Sequence, residues 1–161
     1  RVSPCAFLAK GNREKALTWA SASAVCTHNH PEGVKGALAI TDLILMASER
    51  RSKDEIRKMA EDLYGYDMDF TIDEIRPYYR FNETCQKTVP QAIECFIESH
   101  DFESAIQIAI SLGGDSDTIA NITGGIAEAY YGVPEEMVSE ARKMLPPEMC
   151  KVIDKMYEGR V

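Results

Sequence analysis

The segment 31–48 constrains the fold most strongly, because it is apolar on most of its faces. Its apolar side chains recur at helical spacing: Val34, Ala37, Leu38, Ile40, Leu43, Ile44 and Leu45. Pro31 suits the first position of a helix, where the N–H that proline lacks would be unpaired anyway. A helix that is apolar all round belongs where other helices cover it. The segment therefore predicts a helix, Pro31 to Ser48, at the centre of a bundle.

Start and stop signals divide the rest of the chain into further helices. Ser52-x-x-Glu55 and Thr71-x-x-Glu74 are capping boxes, in which side chains and backbone groups of a first helical turn satisfy one another. Predicted helices cover about 12–25, 52–65, 71–76, 89–97, 102–112 and 116–131, and two short ones begin at Pro134 and Pro147. A loop over 78–88 is predicted to be anchored by three aromatic side chains: Tyr78, Tyr79 and Phe81. No segment alternates as a strand does, so residues 1–161 predict a single all-α domain.

Composition excludes some functions. The net charge of −8 and the pI near 4.9 argue against a nucleic-acid partner, which requires clustered Lys and Arg. The longest apolar run, 38–47, is interrupted by Thr41 and Asp42 and is too short to cross a bilayer. The five cysteines form no metal-like spacing, and no secretory signal is visible. We therefore expect a cytoplasmic protein with reduced thiols and no membrane partner.

The strongest chemical motif is Gly113-Gly114-Asp115-Ser116-Asp117-Thr118, at the junction of a glycine turn and a helix start. Carboxylate and hydroxyl oxygens this close together can converge on a hard cation such as Mg²⁺, Mn²⁺ or Ca²⁺. The alternative is that Asp115 or Ser116 only caps the helix and Asp117 favours its positive end. The helix behind the motif contains Gly124 and Gly125, whose cost in helix stability indicates close packing of a neighbour.

A second motif, Thr27-His28-Asn29-His30-Pro31, lies before the central helix. Two imidazoles at a helix start can donate to phosphate or ribose oxygens, and the helix N-terminus favours an anion there. The alternative is a polar loop in which the histidines cap backbone groups. A zinc site is disfavoured, because no third His or Cys stands at a useful spacing.

The remaining candidates favour packing over chemistry. Tyr130 and Tyr131 could stack on a base, but paired aromatic residues at a helix end more often pack in a core. Five methionines at helical spacings are interpreted as core residues: Met59, Met137, Met144, Met149 and Met156. No nucleophilic serine motif, P-loop or dinucleotide fingerprint is present. The chain opens at Arg1 without a methionine, from which we expect a piece of a longer protein.

The stretch 111–120 resembles the C-terminal metal motif of ADP-ribosylglycohydrolases. Three other segments resemble that family in the same order. Arg1-Val2-Ser3-Pro4 is similar to the end of its glycine–asparagine phosphate loop, and Thr27 to Pro31 to its histidine loop. Val89-Pro90-Gln91-Ala92-Ile93 is similar to the segment that leads to the metal helix. The resemblance spans nearly the whole chain.

The resemblance implies an orthogonal multi-helix bundle with two divalent cations, usually Mg²⁺ or Mn²⁺. It implies hydrolysis of the glycosidic bond between ADP-ribose and a protein side chain or small molecule. Asp115 would bind one metal, Asp117 would bridge both as the residue on which catalysis depends, and Thr118 would give a further oxygen. By the same resemblance, His28 and His30 line the ADP-ribose pocket and Ser3 borders the diphosphate loop.

One part of the family pattern has no counterpart in the sequence. The N-terminal acidic metal triad and the catalytic glutamate are missing, so residues 1–161 match the C-terminal portion of a longer domain. We expect the chain alone to bind metal weakly and not to turn over. A companion chain or N-terminal fragment would supply the rest, or the chain would associate with itself. The alternatives are a non-catalytic module that binds ADP-ribose or a partner, and a helical scaffold without a ligand.

Overall fold

The computed structural model describes residues 2–158, which form helices and include no strand. The helices are α1 (Ser3–Leu8), α2 (Arg13–Val25), α3 (Pro31–Ser48), α4 (Lys53–Asp62), α5 (Ile72–Ile75), α6 (Val89–Glu98), α7 (Phe102–Leu112), α8 (Ser116–Tyr131), α9 (Glu135–Lys143) and α10 (Pro147–Glu158). A 3-10 turn, Cys85–Lys87, precedes α6. The predicted all-α class is confirmed. None of these helices is long and apolar enough to cross a membrane.

Helix α3 lies at the centre, as its sequence predicts. Ala39, Leu43 and Ala47 have no exposed surface, and Ile44 is 1% exposed. Helices α1, α2, α4 and α8 pack around α3 and bury these side chains. A second apolar cluster forms where α5, α6, α7 and α8 meet. The segment 113–118, called the acidic turn below, connects Leu112 and Ile119 of this cluster.

A buried carboxylate, paired with an exposed arginine, interrupts the apolar surface of α3. Asp42 is 1% exposed, and Arg13 at the start of α2 donates to both of its carboxylate oxygens, at 2.7 and 2.6 Å. The hydroxyl of Tyr64 donates to the same carboxylate. Because a buried charge is tolerated only when it is paired and hydrogen-bonded, these two donors allow Asp42 to lie in the core. The pair fixes α2 against α3.

The glycine pair of α8 allows close packing on two sides, as its sequence predicts. A Cβ on Gly124 would lie 3.1 Å from Ile106 Cδ1 of α7. A Cβ on Gly125 would lie 2.7 Å from the hydroxyl oxygen of Ser3, at the start of α1. Gly125 therefore lets α1 approach α8, the helix that begins in the acidic turn.

Some sequence predictions are wrong in detail. Helix α1 was not predicted, because a short apolar segment at the chain start carries no start signal. Met144 and Met149 are 88% and 54% exposed, so they are not core residues. Tyr78 and Phe81 are 66% and 62% exposed, which leaves Tyr79 as the aromatic anchor of its loop. Tyr130 packs edge-on against Phe96, and Tyr131 packs against both rings, at the edge of the core, which supports packing over base stacking.

Candidate active site

A pocket of about 470 Å³ opens between α1, α3, α6 and α8. Three of the predicted site residues line it: Ser3, His28 and Thr118. The pocket is also lined by Val2, Ala24, Gly33, Gly36, Ala37, Ile40, Cys85, Val89, Asn121 and Ile122. Its wall is mostly apolar, with polar groups from four separate segments. A mostly apolar pocket with a few convergent polar groups is the usual form of a small-molecule site.

Ser3 is the first residue of α1, and its place depends on the glycine of the facing helix. The Ser3 hydroxyl lies above the backbone of Gly125, where any larger residue would meet it at 2.7 Å. Val2, which is buried, lines the pocket next to it. The chain start is therefore held against α8, with the Ser3 hydroxyl at the pocket surface.

The two histidines of the loop before α3 lie in different places. His28 lines the pocket, and its Nδ1 lies 2.8 Å from the hydroxyl oxygen of Thr27. His30 caps α3 instead, since its Nδ1 accepts from the Glu32 N–H at 3.2 Å. His30 does not line the pocket, so the structure gives it the capping role that was the alternative. A substrate contact by His30 stays a prediction.

The acidic turn leads directly into α8, and Thr118 in the first turn of that helix lines the pocket. Asp115 occupies the N-cap position but accepts no capping hydrogen bond through its side chain, which disfavours the capping alternative for this residue. A hydrogen bond with the Asp115 side chain lowers the pKa of Asp117, and the Thr118 N–H, which donates to Asp117 at 3.0 Å, lowers it further. The two carboxylates therefore lie within reach of each other, with Asp117 exposed to solvent.

These oxygens match part of a site for hard divalent cations. Carboxylate and hydroxyl oxygens are the ligands that Mg²⁺ and Mn²⁺ prefer. Within residues 2–158, however, no group of three or more His, Cys, Asp or Glu side chains is placed to hold a metal ion. Asp115, Asp117 and Thr118 therefore fit the cations as a partial set of ligands.

Two pocket residues were missed by the sequence analysis. Asn121 follows Thr118 by one helical turn and lines the pocket beside it; its i+3 spacing from the metal motif was the available signal. Cys85 lines the pocket from the 3-10 turn, and burial raises the pKa of its thiol. A raised pKa favours the protonated thiol, which is a poorer nucleophile than the thiolate.

The fold and this site define an all-α protein with a pocket of about 470 Å³, lined in part by the helix that follows the acidic turn. A sequence model of the ADP-ribosylglycohydrolase family matches residues 1–160. The chain belongs to this family.

Two kinds of relative are similar to the chain. ADP-ribosyl-(dinitrogen reductase) glycohydrolase of Rhodospirillum rubrum is 26% identical, over 84% of this chain and 45% of its own length. ADP-ribosylhydrolase ARH3 of Bos taurus is 38% identical over 30% of this chain, and that of Mus musculus is 42% identical over the same share. Each mammalian match covers 16% of the relative. The chain therefore spans less than half the length of the relatives it matches.

Proposed function

We propose that the chain binds ADP-ribose in the pocket between α1, α3, α6 and α8 and takes part in hydrolysing an ADP-ribosyl bond. One observation carries the proposal. Ser3, His28 and Thr118 come from three distant segments of the sequence, and all three line the same pocket. Membership of the ADP-ribosylglycohydrolase family supports the same ligand.

The pocket lining suits the parts of ADP-ribose. Val2, Ile40 and Val89 offer apolar surface to a flat base or a ribose ring. The Ser3 hydroxyl and the His28 imidazole offer hydrogen bonds to phosphate or ribose oxygens. The pocket's 470 Å³ is within the usual range for small-molecule sites, about 300–1,000 Å³.

We propose that Asp115, Asp117 and Thr118 hold two divalent cations, Mg²⁺ or Mn²⁺, at the rim of this pocket. Such cations would orient the ribose hydroxyls and favour ionisation of a water. The exposed Asp117 carboxylate, drawn to its ionised form by Asp115 and Thr118, would bridge them. Further carboxylates would come from a companion chain, an N-terminal fragment or a second copy.

In the proposed reaction, water adds to the anomeric carbon of ADP-ribose as the bond to the acceptor atom breaks. The acceptor leaves with a proton, and free ADP-ribose remains in the pocket. Cleavage of glycosidic bonds proceeds with positive charge at the anomeric carbon. The acceptor is proposed to be a protein side chain or a small molecule.

A second candidate function is non-catalytic binding of ADP-ribose. The observation that favours it is the partial set of metal ligands within residues 2–158. Calorimetry with ADP-ribose separates the two functions. A hydrolase half predicts that EDTA weakens ADP-ribose binding, because bound cations would help to hold the ribose hydroxyls. A binding module predicts equal affinity with EDTA and with Mn²⁺.

The experiment that tests the metal site is a Mn²⁺ titration of the full chain, in which electron paramagnetic resonance measures the free Mn²⁺. We expect Asp117→Asn to weaken Mn²⁺ binding by at least about tenfold, because it removes a carboxylate ligand. Asp69→Asn is the matched control, since Asp69 is also exposed but lies far along the chain from the acidic turn. Equal Mn²⁺ affinity in the two variants would contradict the proposed site.

A further inference from the structure

Gly114, in the middle of the acidic turn, lies against the ring of Tyr79. Its φ is +64°, and a Cβ on it would lie 2.7 Å from Tyr79 Cε1 and 3.2 Å from Tyr79 Cδ1. The backbone carbonyl carbon of Arg80 is also close, at 3.3 Å from the same point. Its neighbour Gly113 has a φ of +79°, but a Cβ there would meet nothing within 4 Å. Both glycines of the turn have a positive φ, but of the two only Gly114 is in close contact with another segment.

Tyr79 is fixed in place by contacts at both ends. Its N–H donates to the Ile75 carbonyl at 2.8 Å, and its hydroxyl donates to the Lys87 carbonyl at 2.8 Å. Between these bonds, the half-buried ring packs against the second apolar cluster. Burial raises the pKa of the Tyr79 hydroxyl, and the nearby charge of Asp115 contributes to this rise. The ring is thus a rigid surface beneath the acidic turn.

Backbone hydrogen bonds hold the acidic turn at its two ends. The Gly113 N–H donates to the Ile110 carbonyl at 3.1 Å, and the Ile119 N–H donates to the Asp115 carbonyl at 3.0 Å. The Asp115 side chain makes no capping hydrogen bond to α8. Asp117 is the second residue of α8, so the backbone path through Gly114 bears most directly on the direction of Asp115, the residue before that helix.

We infer that Tyr79 is a positioning residue for the acidic turn: its ring sets the backbone path at Gly114 and thereby the direction of Asp115, the partner of Asp117. This inference rests on the proposed function, in which these carboxylates hold divalent cations. Tyr79 is not among the residues that line the pocket. Its ring contacts the acidic turn at Gly114.

The test compares Mn²⁺ affinity of the full chain with its Tyr79→Phe and Tyr79→Ala variants. Tyr79→Ala removes the ring and is expected to weaken Mn²⁺ binding about tenfold, as loss of a supporting residue does at other metal sites. Tyr79→Phe keeps the ring against Gly114 and is expected to bind Mn²⁺ as the wild type does. If Tyr79→Ala binds Mn²⁺ with wild-type affinity, the positioning role of Tyr79 is overturned and the proposed cation site is not. A wild-type chain that binds no Mn²⁺ would overturn the proposed cation site and this role with it.

A double-mutant cycle checks the contact without using metal. Gly114→Ala places a methyl group against the ring, whereas the matched control Gly113→Ala strains the backbone without meeting any side chain. We expect Tyr79→Ala to restore part of the urea midpoint lost in Gly114→Ala and none of that lost in Gly113→Ala. Equal and additive effects at both glycines would show that the ring does not constrain Gly114, and would overturn the inference.

Discussion

The side chain of Cys95 lies in the second apolar cluster without any exposed surface. Burial raises the pKa of its thiol from 9.0 to about 12, and the charges of Glu98 and Glu94 add to the shift. Burial disfavours the charged thiolate, so the folded chain keeps this proton to a higher pH than the unfolded chain does. The stability that Cys95 contributes is therefore complete below about pH 9 and is lost as the pH rises toward 12.

We predict that the free energy of unfolding falls steeply between pH 9 and 11 and that Cys95→Ala reduces this slope. The rise in pKa from 9.0 to about 12 sets an upper limit of about 4 kcal/mol on the free energy of unfolding lost in this way. Urea unfolding of the reduced chain at several pH values measures the slope. Cys26→Ala, at an exposed thiol, is the control and should keep the wild-type slope. The same slope in Cys95→Ala and Cys26→Ala would show that the buried thiol does not cause it.

At the scale of elements, the start of α3 sets the position of the histidine loop. Gly33 lies in the first turn of α3, where a Cβ would be 2.9 Å from the His28 carbonyl oxygen and 3.3 Å from the His28 Cβ. A backbone oxygen cannot move aside as a flexible side chain can. Gly33→Ala therefore displaces His28 from the pocket.

We predict that Gly33→Ala weakens ADP-ribose binding about tenfold, or about 1.4 kcal/mol. Gly124→Ala is the matched control within a helix, because a Cβ there meets only the end of the Ile106 side chain, at 3.1 Å. It should leave the affinity unchanged, while alanine's higher helix propensity raises stability by up to about 1 kcal/mol. Calorimetric titration of both variants is the measurement. A Gly33→Ala variant with wild-type affinity would contradict the placement of His28.

Local signals in the sequence predicted most of the helices. The capping boxes at Ser52 and Thr71 form as expected, because each is completed within a single turn. Helix α3 has its predicted bounds, because its apolar pattern and Pro31 both act locally. Contacts between distant segments carry no such signal. The ring of Tyr79 under Gly114 and the pairing of Arg13 with Asp42 therefore appear only in the folded structure.

The same distinction applies to the site. The acidic turn was recognisable because its ligands stand within a few residues, and Ser3 and His28 were assigned by resemblance to the family. The structure adds what joins them, since Gly125 and Gly33 bring α1 and the histidine loop to the same pocket. The exposure of Met144 was not predictable from helical spacing, because this residue lies just after the end of α9.

At the scale of the whole molecule, the central claim is that this one pocket receives ADP-ribose. The chain has three histidines, and each reports on a different place. His28 lines the pocket, His30 caps α3 nearby, and His100 lies in the turn between α6 and α7, outside the pocket lining. Nuclear magnetic resonance of the imidazole rings therefore locates the ligand without any substitution.

The most direct measurement is a titration of the full chain with ADP-ribose in the presence of Mg²⁺, in which the imidazole resonances are recorded at each step. We predict that the His28 resonances shift progressively and saturate, while those of His100 stay in place. A shift at His30 would show that the second histidine of the loop also contacts the ligand. Unchanged His28 resonances at saturating ADP-ribose would contradict the assignment of this pocket.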